Sequence, residues 1–152
     1  MNANEVKKMA KSFGADLIGI APMERFSGIS RDKNPLSIFP ECKSVIVFGK
    51  KILRGSLRGI EEGTNFYSTY HAFGYHHPQE NIMTRISYQL MCWIEEQGFD
   101  AVPLFGHKES GTPLANPVSP DKPAPNVTVE WEFAAHAAGL AEYGLGGFML
   151  TP

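Results

Sequence analysis

Residues 43–53 read KSVIVFGKKIL. Val45, Ile46, Val47 and Phe48 follow one another without a polar break, and each is β-branched or aromatic, which is the composition of a strand. A continuous apolar run, as opposed to an alternating one, predicts an interior strand covered on both faces. Such a strand needs helices around it.

Upstream, Asn4 stands where it would cap a helix whose apolar face is Val6, Met9, Ala10 and Phe13, with Gly14 as the stop signal. Ala15–Ala21 (ADLIGIA) predicts a second buried strand, ended by Pro22, and residues 23–39 a loop with short helical turns. Downstream, residues 54–66 read as a polar, glycine-rich connection. A long helix is expected over Glu80–Gln97, with Ile82, Ile86, Leu90, Trp93 and Ile94 on one face and Gly98 at its end. Tyr67–Tyr75 is a further candidate helix, separated from it by Pro78, which favours a break or a first-turn position. Ala101–Leu104 predicts a short strand, and the prolines of Gly111–Asn126 an extended loop. Thr128 is placed to cap a last helix, Val129–Leu140, whose first turn carries Glu130 and Glu132 where the helix dipole favours acids. Gly139 closes it, and Phe148–Thr151 begins a strand. The order αβ–β–α–β–α–β gives an α/β fold, a mixed sheet flanked by helices.

The 152 residues suffice for a single domain spanning 1–152. A net charge of −2 excludes a dedicated nucleic-acid binder, which would carry a basic excess. No apolar run approaches the roughly 20 residues of a membrane span, so no membrane partner is expected. The N-terminal MNANEVKKMAKSF lacks the apolar stretch of a signal peptide, which makes the cytoplasm the expected location. Cys42 and Cys92 form no CxxC, so the chain offers no thiolate metal site, and both read as small buried side chains.

Four patterns carry chemistry. Gly139, Gly144, Gly146 and Gly147 fall within nine residues. Where a helix hands over to a strand, such glycines permit positive φ, and their bare amides can line a cofactor's polar groups; tight backbone packing is the alternative. The order helix-then-strand is the reverse of a dinucleotide-binding turn. The run FYSTYHAFGYHH (66–77) supplies Tyr67, Tyr70, Tyr75, His71, His76 and His77, side chains able to donate protons to a reduced substrate, or else a half-exposed aromatic face. Lys50, Lys51, Arg54 and Arg58 form a basic run that would meet a phosphate-bearing ligand or RNA, or lie in a solvated loop, with Glu61 and Glu62 following. Glu130, Glu132 and Glu142 place carboxylates near the glycine turn.

Three stretches together carry a resemblance. AAGLAEYGLGGFMLTP (137–152) resembles the AGLGE-x-G-x-x-G-x-x-x-TP segment of the epoxyqueuosine reductase and reductive dehalogenase superfamily, the iron–sulfur, corrinoid-type reductases. ADLIGIAP, followed by PECKSVIVFGKKI, looks like that family's opening strand pair. MTRISYQLMCWIEEQGFDAVPL is similar to its middle helix. The resemblance implies an α/β core related to flavin nitroreductases, a bound cobalamin, and one-electron reductive chemistry on a small molecule or modified nucleoside. It implies [4Fe-4S] clusters only in a ferredoxin-like segment beyond residue 152, which makes this chain the expected N-terminal part of a larger reductase that needs an electron donor.

On this resemblance Tyr143, Gly144, Gly146 and Gly147 shape the cofactor side, and Asn126 or a tyrosine among Tyr67, Tyr70 and Tyr75 faces substrate. The sequence departs from the family in three places. PAPNVTVEWE has no aspartate where epoxyqueuosine reductases carry a proton donor, and Asn126 resembles instead an asparagine of dehalogenase-type members. Leu145 stands where many relatives have a basic residue, and Ala141 replaces a glycine. The rival readings are an FMN-binding oxidoreductase and a non-enzymatic corrinoid carrier or assembly module, self-associating through an open strand edge.

Overall fold

The computed structural model describes residues 1–104 and 115–152. They divide into two compact units, Met1–Ile18 with Phe48–Pro103, and Gly19–Val47 with Leu104–Pro152.

In the first unit, α1 (Ala3–Ser12) starts from Asn2, not Asn4. The Asn2 side chain accepts from the Asn4 and Glu5 amides at 3.0 Å each, and Glu5 accepts from the Asn2 amide at 2.7 Å. Glu5 lies three residues after Asn2 and completes this reciprocal box, whereas the third residue after Asn4 is Lys7. Val6 and Ala10 are buried, and α1 packs on α3 (Thr84–Glu96), which buries Ile86, Leu90 and Ile94.

Residues 54–66 are not only a connection, because Arg54–Glu61 forms helix α2. Arg54 pairs with Glu61 at 2.9 Å, and Arg58 pairs with Glu62 at 2.9 Å one turn on. Gly59 marks a close approach instead of a loop: a Cβ there would stand 2.2 Å from the Asn65 carbonyl oxygen and 2.6 Å from Thr69 Oγ1. Gly74 does the same from the other side, 3.0 Å from Ser56 Oγ. Small residues thus let α2 and the following helical segment touch at backbone distance.

That segment, Tyr67–His76 and then Pro78–Met83, is wound wider than an α-helix. The His71 amide donates to the Phe66 carbonyl, five residues back, at 3.0 Å. Pro78 therefore does not break the run. A proline has no N–H to give and crowds the carbonyl four residues before it, and a wider turn relieves the crowding. The run tightens into α3 at Thr84, whose hydroxyl donates to the Glu80 carbonyl at 2.9 Å.

Strands β1 (Leu17–Pro22) and β2 (Ser44–Gly49) form a two-stranded sheet, and the division between the units passes through both. The Asp16 amide donates to the Gly49 carbonyl at 2.9 Å and the Met23 amide to the Lys43 carbonyl at 3.1 Å, so the strands run in opposite directions. β2 is not the doubly covered interior strand expected of KSVIVFGKKIL. Ser44 is exposed and the residues after it are half-buried, and β1 is the strand's one ladder partner among the described residues.

The second unit closes around Ala21, Phe26, Val129, Ala134 and Ala137, with Val45, Val47 and Phe133 packed on them. Phe26 meets Phe133 edge-on at 5.4 Å. Short turns at Met23–Phe26 and Pro35–Ser37 match the expected loop with helical turns. Helix α4 (Trp131–Ala137) is shorter than Val129–Leu140 and begins at Glu130, because the Thr128 hydroxyl is turned to the Asn126 carbonyl at 3.2 Å. Arg25 donates to the Ala137 carbonyl at the end of α4, where a cation answers the helix dipole. Gly139, at φ +69°, ends the helix as expected.

Strands β3 (Glu142–Tyr143) and β4 (Met149–Leu150) pair antiparallel, Glu142 with Leu150 and Tyr143 with Met149. The final strand is therefore folded back on its own chain and not waiting unpaired. Ala101–Leu104 is irregular, so the predicted third strand is absent, and residues 111–114 of the predicted loop lie outside the described residues. Among the described residues, 46% are helix and 11% strand in small sheets, a mixture compatible with an α/β reading. Among the described residues the strands make two separate two-stranded sheets in place of one mixed sheet. No helix among the described residues is long and apolar enough to cross a membrane.

Candidate functional site

The glycine stretch is the loop of the β3–β4 hairpin. The Gly144 amide donates to the Phe148 carbonyl at 2.8 Å and the Gly147 amide to the Gly144 carbonyl at 3.4 Å. Those two amides bond within the turn itself, as the backbone-packing alternative has it. Gly144 is tightly placed, since a Cβ would lie 3.1 Å from Leu150 and 3.2 Å from the Phe148 oxygen and its neighbours would have to give way. Gly146 and Gly147 have φ of +80° and +81°, a conformation only glycine adopts easily, and beside Gly147 there is open space.

Around this bare turn the hairpin shows apolar side chains to solvent. Leu145 is fully exposed and Phe148 is 73% exposed, with Tyr143 and Leu150 more than half exposed. His136, at the end of α4, steadies the base. Its ring lies 5.3 Å from that of Tyr143, and its Nδ1 is 3.2 Å from the Ala141 carbonyl, which accepts when Nδ1 carries the proton. Nothing in the order of residues pointed to His136, because its partners are set by the chain folding back after Gly139. The segment 127–152 contains three glutamates and no lysine or arginine.

Asn126 belongs to the same unit. It is exposed and has φ +79°, a left-handed conformation in which asparagine is the commonest non-glycine residue.

Tyr67, Tyr70 and Tyr75 belong to the first unit, on the wide helical segment. Tyr67 is 72% exposed, Tyr75 is 47% exposed and Tyr70 is half-buried. The sequence-predicted residues thus form two groups, one on each unit. His71 joins two of the first group, with Tyr67 stacked on it at 4.7 Å and Tyr75 at 6.4 Å, while Tyr70 lies 5.7 Å from Phe66.

The basic run is largely neutralised. Lys50 pairs with Asp16 at 3.1 Å, and Arg54 and Arg58 are held by Glu61 and Glu62. The Asp16 carboxylate accepts from the Lys51 amide at 2.9 Å, and this bond, with the Lys50 ammonium, holds its pKa below the usual aspartate value. Among the described residues no cluster of three or more His, Cys, Asp or Glu is arranged for a metal ion. Cys42 and Cys92 are free thiols and half-buried, and burial raises the pKa of Cys42.

Comparison with known proteins leaves the site to be read on its own chemistry: no family model, no curated protein and no solved structure matches the chain.

Proposed function

We propose that this chain is the cofactor-side part of a reductase of the iron–sulfur, corrinoid-dependent type. The observation that carries the proposal is the β3–β4 hairpin tip, a side-chain-free turn at Gly146–Gly147 flanked by exposed Leu145 and Phe148. A large macrocycle whose rim carries methyl groups among amide arms fits such a tip, because the turn admits close approach and the flanking side chains gain burial against the methyl groups. The chemistry a corrinoid supplies when bound is reductive electron transfer.

In this reading Leu145 and Phe148 cover the macrocycle's edge and keep water from it. Tyr143 is the polar-tipped ring beside them, and Asn126 offers an amide that can both donate and accept. Tyr67, Tyr70 and Tyr75, on the first unit, are the residues this reading assigns to substrate. Electrons come from a ferredoxin-like partner or segment, since this chain has only two cysteines and no cluster motif.

The charge of the hairpin ranks the alternatives. An FMN phosphate is a dianion that cations and convergent amides hold. The segment 127–152 has no lysine or arginine, Arg25 beside it is engaged by the Ala137 carbonyl, and two of the turn's amides are already bonded. FMN therefore stands second to a corrinoid.

The test is an anaerobic titration of the chain with cob(II)alamin, followed by visible and EPR spectra, with FMN in parallel. A saturable spectral change with cobalamin is expected, weakened at least fivefold in Leu145→Asp, a fully exposed position whose replacement leaves the fold intact. Gly147→Val should weaken it as well, because a branched side chain would fill the open space beside the turn and strain its backbone. Saturable FMN binding without cobalamin binding would overturn the corrinoid assignment, and so would cobalamin binding that ignores both substitutions.

A further inference from the structure

Between Phe66 and His77 the chain carries eight rings in twelve residues. His71 is their hub, with ring centroids at 4.7 Å to Tyr67, 5.9 Å to His76, and 6.4 Å to both Phe66 and Tyr75. Two of these neighbours are stacked and not tilted, Tyr67 at 12° and His76 at 17°, so Tyr67, His71 and His76 form a short column. The wide helical turn makes the column possible. The three rings are spaced four and then five residues apart, and a ladder bonded to the fifth residue brings such positions onto one line.

These rings are not the segment's core contact. The segment is anchored on α2 through Gly74, Ser56 and Gly59, while Phe66, Tyr67, Phe73 and Tyr75 are all close to half exposed or more. The column ends on Tyr67, whose ring is stacked on one side by His71 and is 72% exposed. Aromatic faces prefer offset parallel neighbours, and an open end to a stack is where another planar ring gains most. The nearby guanidinium groups of α2 are already paired with Glu61 and Glu62, so this face is not organised to select a phosphate.

We propose that the Tyr67–His71–His76 column binds a small, neutral, planar heteroaromatic ring, stacked on Tyr67. This rests on the reading in which the tyrosines of the segment face substrate, and it names the class of group they take.

Lumichrome, a neutral tricyclic heteroaromatic, is the probe, and quenching of its fluorescence is the readout. Saturable quenching is expected with the full chain, weakened roughly tenfold or more in Tyr67→Leu and retained in Tyr67→Trp. Because Tyr67 is mostly solvent-exposed, neither variant threatens the fold. Cobalamin binding by Tyr67→Leu should be unchanged, so failure of the hairpin reading and failure of the column are separately visible. Absence of saturable quenching, or quenching indifferent to Tyr67→Leu, would overturn the proposal. Tighter binding of FMN than of lumichrome, lost in high salt, would assign the face to an anion and overturn it equally.

Discussion

Gly55 and Gly59 sit one turn apart in α2, and the same substitution should have opposite signs at the two. Nothing lies within 4 Å of a Cβ at Gly55, so Gly55→Ala only removes chain freedom and should stabilise the protein by about 0.5–1 kcal/mol. At Gly59 the added carbon would meet the Asn65 carbonyl oxygen at 2.2 Å, and Gly59→Ala should cost about 2 kcal/mol or more. Urea unfolding of the two variants checks this, and equal shifts would mean that the α2 contact is not formed. Asp16 gives a second residue-scale prediction. Its pKa is lowered in the folded chain by the Lys51 amide and the Lys50 ammonium, so the unfolded chain binds the proton more readily. The stabilisation is then full above the ordinary aspartate value and disappears as pH falls through the lowered one. The stability difference between wild type and Asp16→Asn should therefore be largest near neutral pH and shrink toward zero as pH falls below the lowered Asp16 value. A difference that grows on acidification would refute the assignment.

Helix ends show how far local chemistry reads through to elements. Asn2 and Asn4 both resemble caps, and the glutamate three residues after Asn2 decides between them. Asn2→Ala should cost about 1 kcal/mol in thermal or urea unfolding, and Asn4→Ala much less. The periodic face of α3 was legible, since Ile86, Leu90 and Ile94 are the buried positions. The glycines of 54–66 misled because a glycine marks a turn and a close contact equally well, and only what faces it, Asn65 and Thr69 at Gly59, tells them apart. The wide helix was hidden for a similar reason: Pro78 signals that a regular ladder fails there, not whether the chain breaks or widens. β2 was legible as a strand, but its coverage depends on which segments reach it, and a run of Val and Ile carries no information about that. At the candidate site the glycine turn was visible in the residues, whereas the bonding of its amides follows from β4 folding back on β3.

On the scale of the whole molecule, each unit has buried apolar residues of its own. Ile86, 0% exposed, sits in the first with Leu90 and Ile94, and Phe26, 1% exposed, in the second with Val129, Ala134 and Ala137. Truncating either leaves a cavity that its neighbours fill only in part. Ile86→Ala should cost about 2–5 kcal/mol and Phe26→Ala about 3–5 kcal/mol. The location of the loss is the sharper test, because each candidate site rides on a different unit. Amide hydrogen exchange should accelerate first in α1 and α3 for Ile86→Ala, and in α4 and the Met23–Phe26 turn for Phe26→Ala. Local loosening of that kind would let the ring column and the glycine hairpin be altered independently, as the ligand titrations assume. If either substitution instead raised exchange to the same free energy along the whole chain, the two units would unfold as one, and Phe26→Ala would then be expected to weaken lumichrome binding at Tyr67 as much as cobalamin binding at the hairpin.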